Sequence, residues 1–258
     1  MSGGGFTALV LAGSRGPTDA VAVAAGVSHK ALAEVGGEPM VVRVVRALAA
    51  AGATRVVIQI EDLAVIESLA DMLEFPGCAV DAMPAAASPS LSVKAALEAL
   101  GTPLLVTTAD HALLRPEWIR WFLEQLPAGA DVAAAAARAE VVTAAAPDTR
   151  RTFLRFSDVS LSGCNLFYLA TPAAAGAVTA WRRFEDHRKQ PLKLAQMLGP
   201  GALVRYATGT LALKDAVARL GALAGARAGV VLMPFGEAAI DVDKASDLEL
   251  ARRMAEPS

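Results

Sequence analysis

The feature that most constrains this chain is a recurring pair: a short uninterrupted apolar run, then a helical pattern. Phe6–Leu11 (FTALVL) ends in Ala12-Gly13. Pro39 opens a helical pattern with Met40, Val41, Val44, Val45 and Leu48 on one face and Gly52 at its end. Arg55–Ile60 (RVVIQI) predicts the next strand, and Asp62 the N-cap of a helix through Met72. Cys78–Met83 then reads as a third strand, Ser90–Leu100 as a helix and Pro103–Thr108 (PLLVTT) as a fourth strand. Continuous apolar runs, rather than alternating ones, belong to strands buried on both faces of a parallel sheet. The prediction is an α/β fold, a single-domain three-layer α/β/α sandwich around a mainly parallel sheet.

Beyond Pro116 the pattern predicts a helix to Leu126 and a strand near Asp131–Ala137. Thr143–Arg155, with Pro147, Asp148 and arginines 150, 151 and 155, reads as a surface excursion before a strand at Asn165–Leu169. Helices are expected near Pro172–Phe184, Leu192–Leu198 and Leu211–Leu220, then a strand at Gly229–Met233 and a helix from about Ser246. No repeat or long linker divides the chain, so 1–258 reads as one domain.

Composition narrows the function. Of 258 residues, 54% are hydrophobic, 19% charged and 5% aromatic, which excludes a disordered role and implies a core of Val, Leu and Ala. A net charge of -2 gives no global case for nucleic acid or an anionic membrane. No apolar run reaches about 18 residues, the length of a membrane-spanning helix. MSGGGF has no basic region ahead of its apolar stretch, so no secretory signal is expected. Two cysteines, Cys78 and Cys164, make neither a disulfide framework nor a four-cysteine zinc site, and a cytoplasmic location is expected.

Ligands of open parallel sheets bind outside the carboxyl ends of the strands, where strand order reverses. After the first strand comes Leu11-Ala12-Gly13-Ser14-Arg15-Gly16, and later Lys30. Gly13 and Gly16 admit a close ligand, and Arg15 and Lys30 bring positive charge, a combination suited to a polyphosphate; the other reading is a tight turn with solvated basic residues. Neither G-x-G-x-x-G nor a Walker-type string occurs. After the fourth strand, Asp110 stands where a divalent cation would meet phosphates, or else caps a helix. Asp241 and Asp243 come after the last strand and share a side if extended. Cationic residues from Arg188 to Lys193 are candidates for an acceptor phosphate, Lys193 the best placed, or for a solvated helix–loop edge. His29, His111 and His187 are too far apart for a local zinc motif. No Ser-His-Asp set is found.

The strings ALVLAGSRG, HKALAEVGGEPMVVRVVRAL, SPSLSVKAAL, LLVTTADHALL, GCNLFYL and IDVDKASDLELARRM occur in that order. With them the chain resembles the nucleotidyltransferases of the GT-A-like fold, in particular the MobA-like NTP transferases, over nearly its whole length. The resemblance implies a nucleotide-binding half at 1–110 and an acceptor-binding half at 111–258. It implies backbone contacts to the nucleotide from Leu11, Ala12 and Gly13, flanked by Ser14 and Gly16, with Arg15 and Lys30 on the triphosphate. Ser90 and Ser92 would lie by the base or ribose, and Asn165 by the acceptor. Asp110 would be the first magnesium ligand and Asp243 the second, with Asp241 less favoured. Three departures stand out: Ser14 replaces the family's second glycine, Lys30 lies 17 residues beyond Gly13 and Lys244-Ala245-Ser246 replaces Thr-Pro-Glu.

The implied reaction is magnesium-dependent transfer of NMP from CTP or GTP to a phosphorylated small molecule, with release of pyrophosphate. The acceptor stays open among sugar phosphate, alcohol phosphate, lipid head-group precursor and molybdopterin. Expected partners are the NTP and this acceptor, without nucleic acid or an integral membrane segment, the protein being a monomer or homodimer. The competing readings are a GT-A glycosyltransferase, which would usually carry Asp-x-Asp after a middle strand, and a non-catalytic nucleotide-binding or regulatory protein.

Overall fold

The structure is a computed structural model and describes residues 5–14, 16–147, 149, 151–187 and 199–255. Its first half runs β1 (Phe6–Leu11), α1 (Ala20–Ala25), β2 (Glu34–Val35), β3 (Glu38–Pro39), α2 (Met40–Ala51), β4 (Ala53–Ile60), α3 (Leu63–Glu67), β5 (Ala79–Pro84), α4 (Pro89–Leu100) and β6 (Leu104–Thr108). The second runs α5 (Pro116–Glu124), β7 (Val132–Arg138), α6 (Ala139–Ala145), β8 (Leu154–Arg155), β9 (Ser160–Leu169), α7 (Ala174–His187), α8 (Pro200–Ala207), α9 (Leu213–Ala224), β10 (Ala228–Met233) and α10 (Ala245–Ala255).

Local chemistry sets several boundaries. Asp19 caps α1 by accepting from the amides of Val21 and Ala22, and Ser88 caps α4 from in front of Pro89. Gly52 ends α2 at a φ of 107°, a left-handed position that favours glycine.

The main sheet has the order β10-β7-β9-β6-β1-β4-β5, with β8 paired to β9. β1 pairs in parallel with β4 on one side and β6 on the other, and β4–β5 and β7–β10 are also parallel. β9 runs antiparallel between β6 and β7. The mainly parallel α/β fold expected from the sequence is therefore present. Because β4 and β6 flank β1 on opposite sides, strand order reverses at its carboxyl end and opens a crevice there.

Apolar layers cover both faces. One packs α2, α5 and the buried side chains of α10 against the sheet; the other, with Leu9, Val57, Val93, Ala96 and Val106, packs α4 and α7. The alanine run of β7 alternates, with Ala133, Ala135 and Ala137 buried. This is where the high apolar fraction goes. No helix among the described residues is long and apolar enough to cross a membrane.

Small residues also set the spacing between helices. A Cβ on Gly176 of α7 would lie 1.9 Å from the Ala224 carbonyl oxygen at the end of α9. Gly176→Ala must push that backbone away. It is expected to lower stability by about 1–3 kcal/mol in urea unfolding, the usual cost of overpacking. An unchanged midpoint would show that α7 and α9 separate freely.

The structure departs from the sequence reading in several elements. The helix expected from Asp62 through Met72 is α3 plus a 3-10 turn over Ala70–Leu73, with the Ser68 hydroxyl bonded to the Val65 carbonyl where the helix stops. The excursion over Thr143–Arg155 begins inside α6, since alanine is the best helix former. The strand expected at Asn165–Leu169 starts earlier, at Ser160. α8 has no counterpart in the sequence reading, although Pro200 at its start is a regular opening signal. The helix expected at Leu192–Leu198 lies outside the described residues.

Candidate active site

The crevice beyond β1 is held by hydrogen bonds between neighbouring strand ends. The Ala12 amide donates to the Gln59 carbonyl at 2.8 Å and the Ala109 amide to the Leu11 carbonyl at 2.9 Å. A Cβ on Gly13 would meet nothing within 4 Å, so open space lies over the loop, and Gly16 has a φ of 73°. The Ser14 amide donates to Glu61 Oε1 at 2.8 Å, and His29 Nε2 lies 3.3 Å from the same oxygen. His29 Nδ1 accepts from the Ala31 amide, so Nε2 carries the proton that faces Glu61. Glu61, first after β4, thus ties the glycine loop to the turn that carries Lys30.

Lys30 opens a 3-10 turn over Lys30–Leu32 and reaches across the crevice. Its Nζ lies 2.6 Å from Asp110 Oδ2 and 3.7 Å from Asp243 Oδ1, and its side chain is only 12% exposed. Burial works against the ammonium. Attraction and a direct hydrogen bond from Asp110, with Asp243 and Asp19 behind, outweigh it and hold the Lys30 pKa above its ordinary value. The Val242 amide donates to the Asp110 carbonyl at 3.0 Å, so the residues after β10 are stitched to those after β6.

Asp241 and Asp243 do not behave alike. Asp241 forms a close ion pair with Arg151 and accepts from Asn165 Nδ2 at 2.8 Å. Burial opposes its charge, but Arg151 and Asn165 prevail and lower its pKa. Asp243 is 70% exposed on its side chain, and its pKa is raised by desolvation and by the like charges of Asp241 and Asp110. Asn165 has a φ of 46°, next to a register irregularity in the β7–β9 pairing. His111, beside Asp110, is fully buried against Trp118, and desolvation lowers its pKa to about 4. Cys164 is buried and its thiol pushed up to about 12, a packed residue as expected.

Ser90 and Ser92 lie at the start of α4, both buried. The Ser90 hydroxyl makes a close hydrogen bond to Glu185 on α7, the Ser90 amide donates to the same carboxylate at 3.3 Å, and Ser92 Oγ accepts from the Ala86 amide at 2.8 Å. Arg182 donates to Ser88 Oγ at 3.1 Å. Helix α7 of the second half thereby secures the loop that enters α4.

Leu11, Ala12 and Gly13 line one crevice with Lys30 and Asp110, and Asp243 lies beside Lys30. Ser14 is tied to this group through Glu61 and His29, Gly16 opens the 3-10 turn that follows the loop, and Asp241 pairs with Asn165. Arg15 and Lys193 lie outside the described residues. Sequence reasoning missed Glu61, although it comes directly after a strand much as Asp110 does. It also read Arg151 only as part of the surface excursion and passed over Glu185. Among the described residues, no three His, Cys, Asp or Glu side chains form a metal-binding group. A larger cavity of about 820 Å³, lined by Leu63, Phe75, Cys78 and Val80, lies by edge strand β5 and contains none of these residues.

The family model described as MobA-like NTP transferase domain matches residues 8–223. The chain belongs to the MobA-like NTP transferase family. The nucleotidyltransferase class expected from the sequence is the class of that family. A hypothetical transferase from Thermus thermophilus is similar, at 30% identity and a TM-score of 0.80, over 95% of this chain and 100% of its own. The 4-diphosphocytidyl-2C-methyl-D-erythritol synthase of Anaerococcus prevotii is 12% identical, with a TM-score of 0.60 over 98% of this chain and 99% of its own. A CMP:2-keto-3-deoxy-manno-octonic acid synthetase solved with CTP is 16% identical, with a TM-score of 0.55 over 97% of each chain. The last two likenesses speak to the fold alone. No curated protein matches the chain.

Proposed function

We propose that this MobA-like NTP transferase moves the NMP group of CTP or GTP to a phosphorylated small molecule. An oxygen of the acceptor phosphate attacks the α-phosphorus, the bond to the β-phosphate oxygen breaks, and pyrophosphate leaves. An acceptor phosphate is already anionic at neutral pH, so no general base is required. What the protein must supply is alignment and charge neutralisation.

The observation that carries the reading is the convergence of Lys30, Asp110 and Asp243 on the crevice beside an open glycine loop. Asp110 and Asp243 fit a magnesium ion: Asp110 Oδ1 is buried without a hydrogen-bond partner among the described residues, and Asp243 is an exposed carboxylate crowded by like charges that a cation would relieve. Magnesium is commonly held by one or two carboxylates plus substrate phosphates, so two suffice. When bound, it would neutralise phosphoryl oxygens. Asp241, already paired with Arg151 and Asn165, is the weaker ligand candidate. Lys30 and Arg15 would steady the leaving pyrophosphate. Ser90 and Ser92 would border the base or ribose, and Asn165 and Lys193 the acceptor.

The experiment is to incubate the protein with each of four NTPs, magnesium and a panel of sugar and alcohol phosphates, reading pyrophosphate. Release that requires one NTP, a phosphorylated acceptor and magnesium together is expected. Binding of NTP with no release on any acceptor would refute the transfer reading.

A further inference from the structure

The alanine-rich helices of the second half leave apolar space beside the crevice. Ala177 and Ala180 of α7 line, with Ala134 of β7 and Ala228 of β10, a cavity of about 250 Å³ where longer side chains would meet. Phe184 and Leu220 wall this cavity and also a second one of about 470 Å³, set between β8, α7, α8 and α9. Leu154, Phe156, Leu203 and Tyr206 line the second, and Arg219 is its one charged lining residue among the described residues. Leu154, Leu203, Tyr206 and Leu220 are at the same time exposed, and exposed apolar side chains gathered in one place mark binding sites. An apolar cavity stays dry and takes an apolar ligand, and this one has the volume of a small-molecule site.

Strand pairing puts the larger cavity at the carboxyl edge of the sheet. β9 runs antiparallel to β7, so Leu161 near its start meets Arg138 at the end of β7. On its other edge β9 pairs with β6 only over Phe167–Leu169, and there Leu161 pairs with Leu154 of β8. β8 therefore lies past the end of β6, on the side of Asp110. Arg151, three residues before Leu154, reaches Asp241, and Glu185, next to Phe184, holds Ser90. Two walls of the cavity are thus continuous with residues of the candidate site. Charge points the same way. From Trp181 to Arg219 the sequence carries eight Lys or Arg against three Asp or Glu, in a chain of net charge -2. That excess favours a ligand with an anionic head.

We propose that the 470 Å³ cavity holds the carbon chain of the acceptor, which is then the phosphate monoester of an alcohol with an alkyl or alkenyl chain and not a sugar phosphate. The proposal rests on the transfer reading above and narrows its acceptor. An oxygen of the monoester phosphate bonds to the α-phosphorus as the bond to the β-phosphate oxygen breaks and pyrophosphate leaves; the chain takes no part in that exchange. Its role is binding. Each methylene that leaves water for the cavity strengthens association by about fourfold. A sugar in the same place would leave its hydroxyls without partners against Phe156 and Leu203.

The test measures calorimetric binding of ethyl, butyl, hexyl and octyl phosphate to the full chain, and pyrophosphate release from the same acceptors with each NTP and magnesium. Kd should fall about fourfold per added methylene until the cavity is full, and kcat/KM should rise in the same order. Ala216→Phe, which fills the cavity from α9, should weaken octyl phosphate relative to ethyl phosphate by roughly tenfold or more. Leu203→Lys, a change at an exposed position of the same wall, should act in the same direction, with a melting curve to show that it folds. Kd values independent of chain length, or variants that keep the full gain from the chain, would overturn the cavity assignment alone. So would a higher kcat/KM for glucose or glycerol phosphate than for octyl phosphate. A dimer in sedimentation that Leu203→Lys dissociates would also overturn it, since a second copy would then fill the cavity. Binding that follows chain length, with no pyrophosphate from any acceptor and any NTP, would instead overturn the transfer reading, and the acceptor assignment with it.

Discussion

Asp110→Asn is expected to lower kcat/KM for pyrophosphate release by about a thousandfold, the scale seen when one preorganised charge contact to a transition state is removed. The substitution keeps the shape of the side chain. What changes is charge. Asp110 presents Oδ2 to Lys30, and its Oδ1 has no partner among the described residues, so one residue both holds the ammonium and offers an oxygen to a cation. Removing its charge takes away the largest force that supports Lys30 against burial, and the Lys30 pKa should fall. In the wild type that pKa is raised, so its contribution to stability is full below about 10.5 and is lost as pH rises through the folded value. With the folded pKa depressed below 10.5 instead, the variant should recover stability relative to wild type as pH rises toward 10.5. Steady-state kinetics at several magnesium concentrations separate the two roles. A loss that high magnesium partly restores supports a metal ligand; a kcat/KM within tenfold of wild type would remove Asp110 from the chemistry.

The legible part of this molecule is the part built from local interactions. β1, β4 and β6 are legible because strands buried on both faces are written as short apolar runs, and the edge strand β5, whose residues are exposed or half-buried, is legible from a similar run. Asp110 is legible as a carboxylate just past an apolar strand, Asp243 as one of two acids that follow the last strand region, and Lys30 as a cation beyond the first glycine loop; the three meet within one crevice. The same signal, an acid at the carboxyl end of a strand, marks Glu61, and a lone glutamine inside RVVIQI is a visible anomaly. Glu185 is not legible, because its partner Ser90 lies 95 positions away and only the packing of α4 on α7 joins them. Arg151 is hidden for a related reason. It lies in a segment without periodicity, and its partner Asp241 is 90 positions on.

That hidden pair carries the second large expectation: Arg151→Met should lower the melting temperature by about 10 °C at pH 8. Side chains of Arg151 and Asp241 are 17% and 14% exposed, so removing the arginine strands a largely buried carboxylate with only Asn165 to hold it. Breaking such a pair from one side costs about 3–5 kcal/mol, and each kcal/mol moves the midpoint of a chain this size by roughly 2–4 °C. The pH dependence has a definite sign. In the wild type the Asp241 pKa is lowered, so its contribution is present above the unfolded value of 3.8 and is lost only as pH falls through the folded value. Without Arg151 burial dominates and the folded pKa rises above 3.8. The variant's contribution is then present at low pH and lost as pH rises through the raised value. Its deficit against wild type should therefore be smaller at pH 5 than at pH 8. Asp241→Asn in the Arg151→Met background should return most of the lost stability, because a neutral amide needs no counter-charge. A deficit independent of pH, with no recovery in the double variant, would mean that Arg151 acts through packing of its stem and not through Asp241. If the pair behaves as expected, Arg151 keeps Asp241 charged and occupied, leaving Asp243 and Asp110 as the carboxylates that face the crevice.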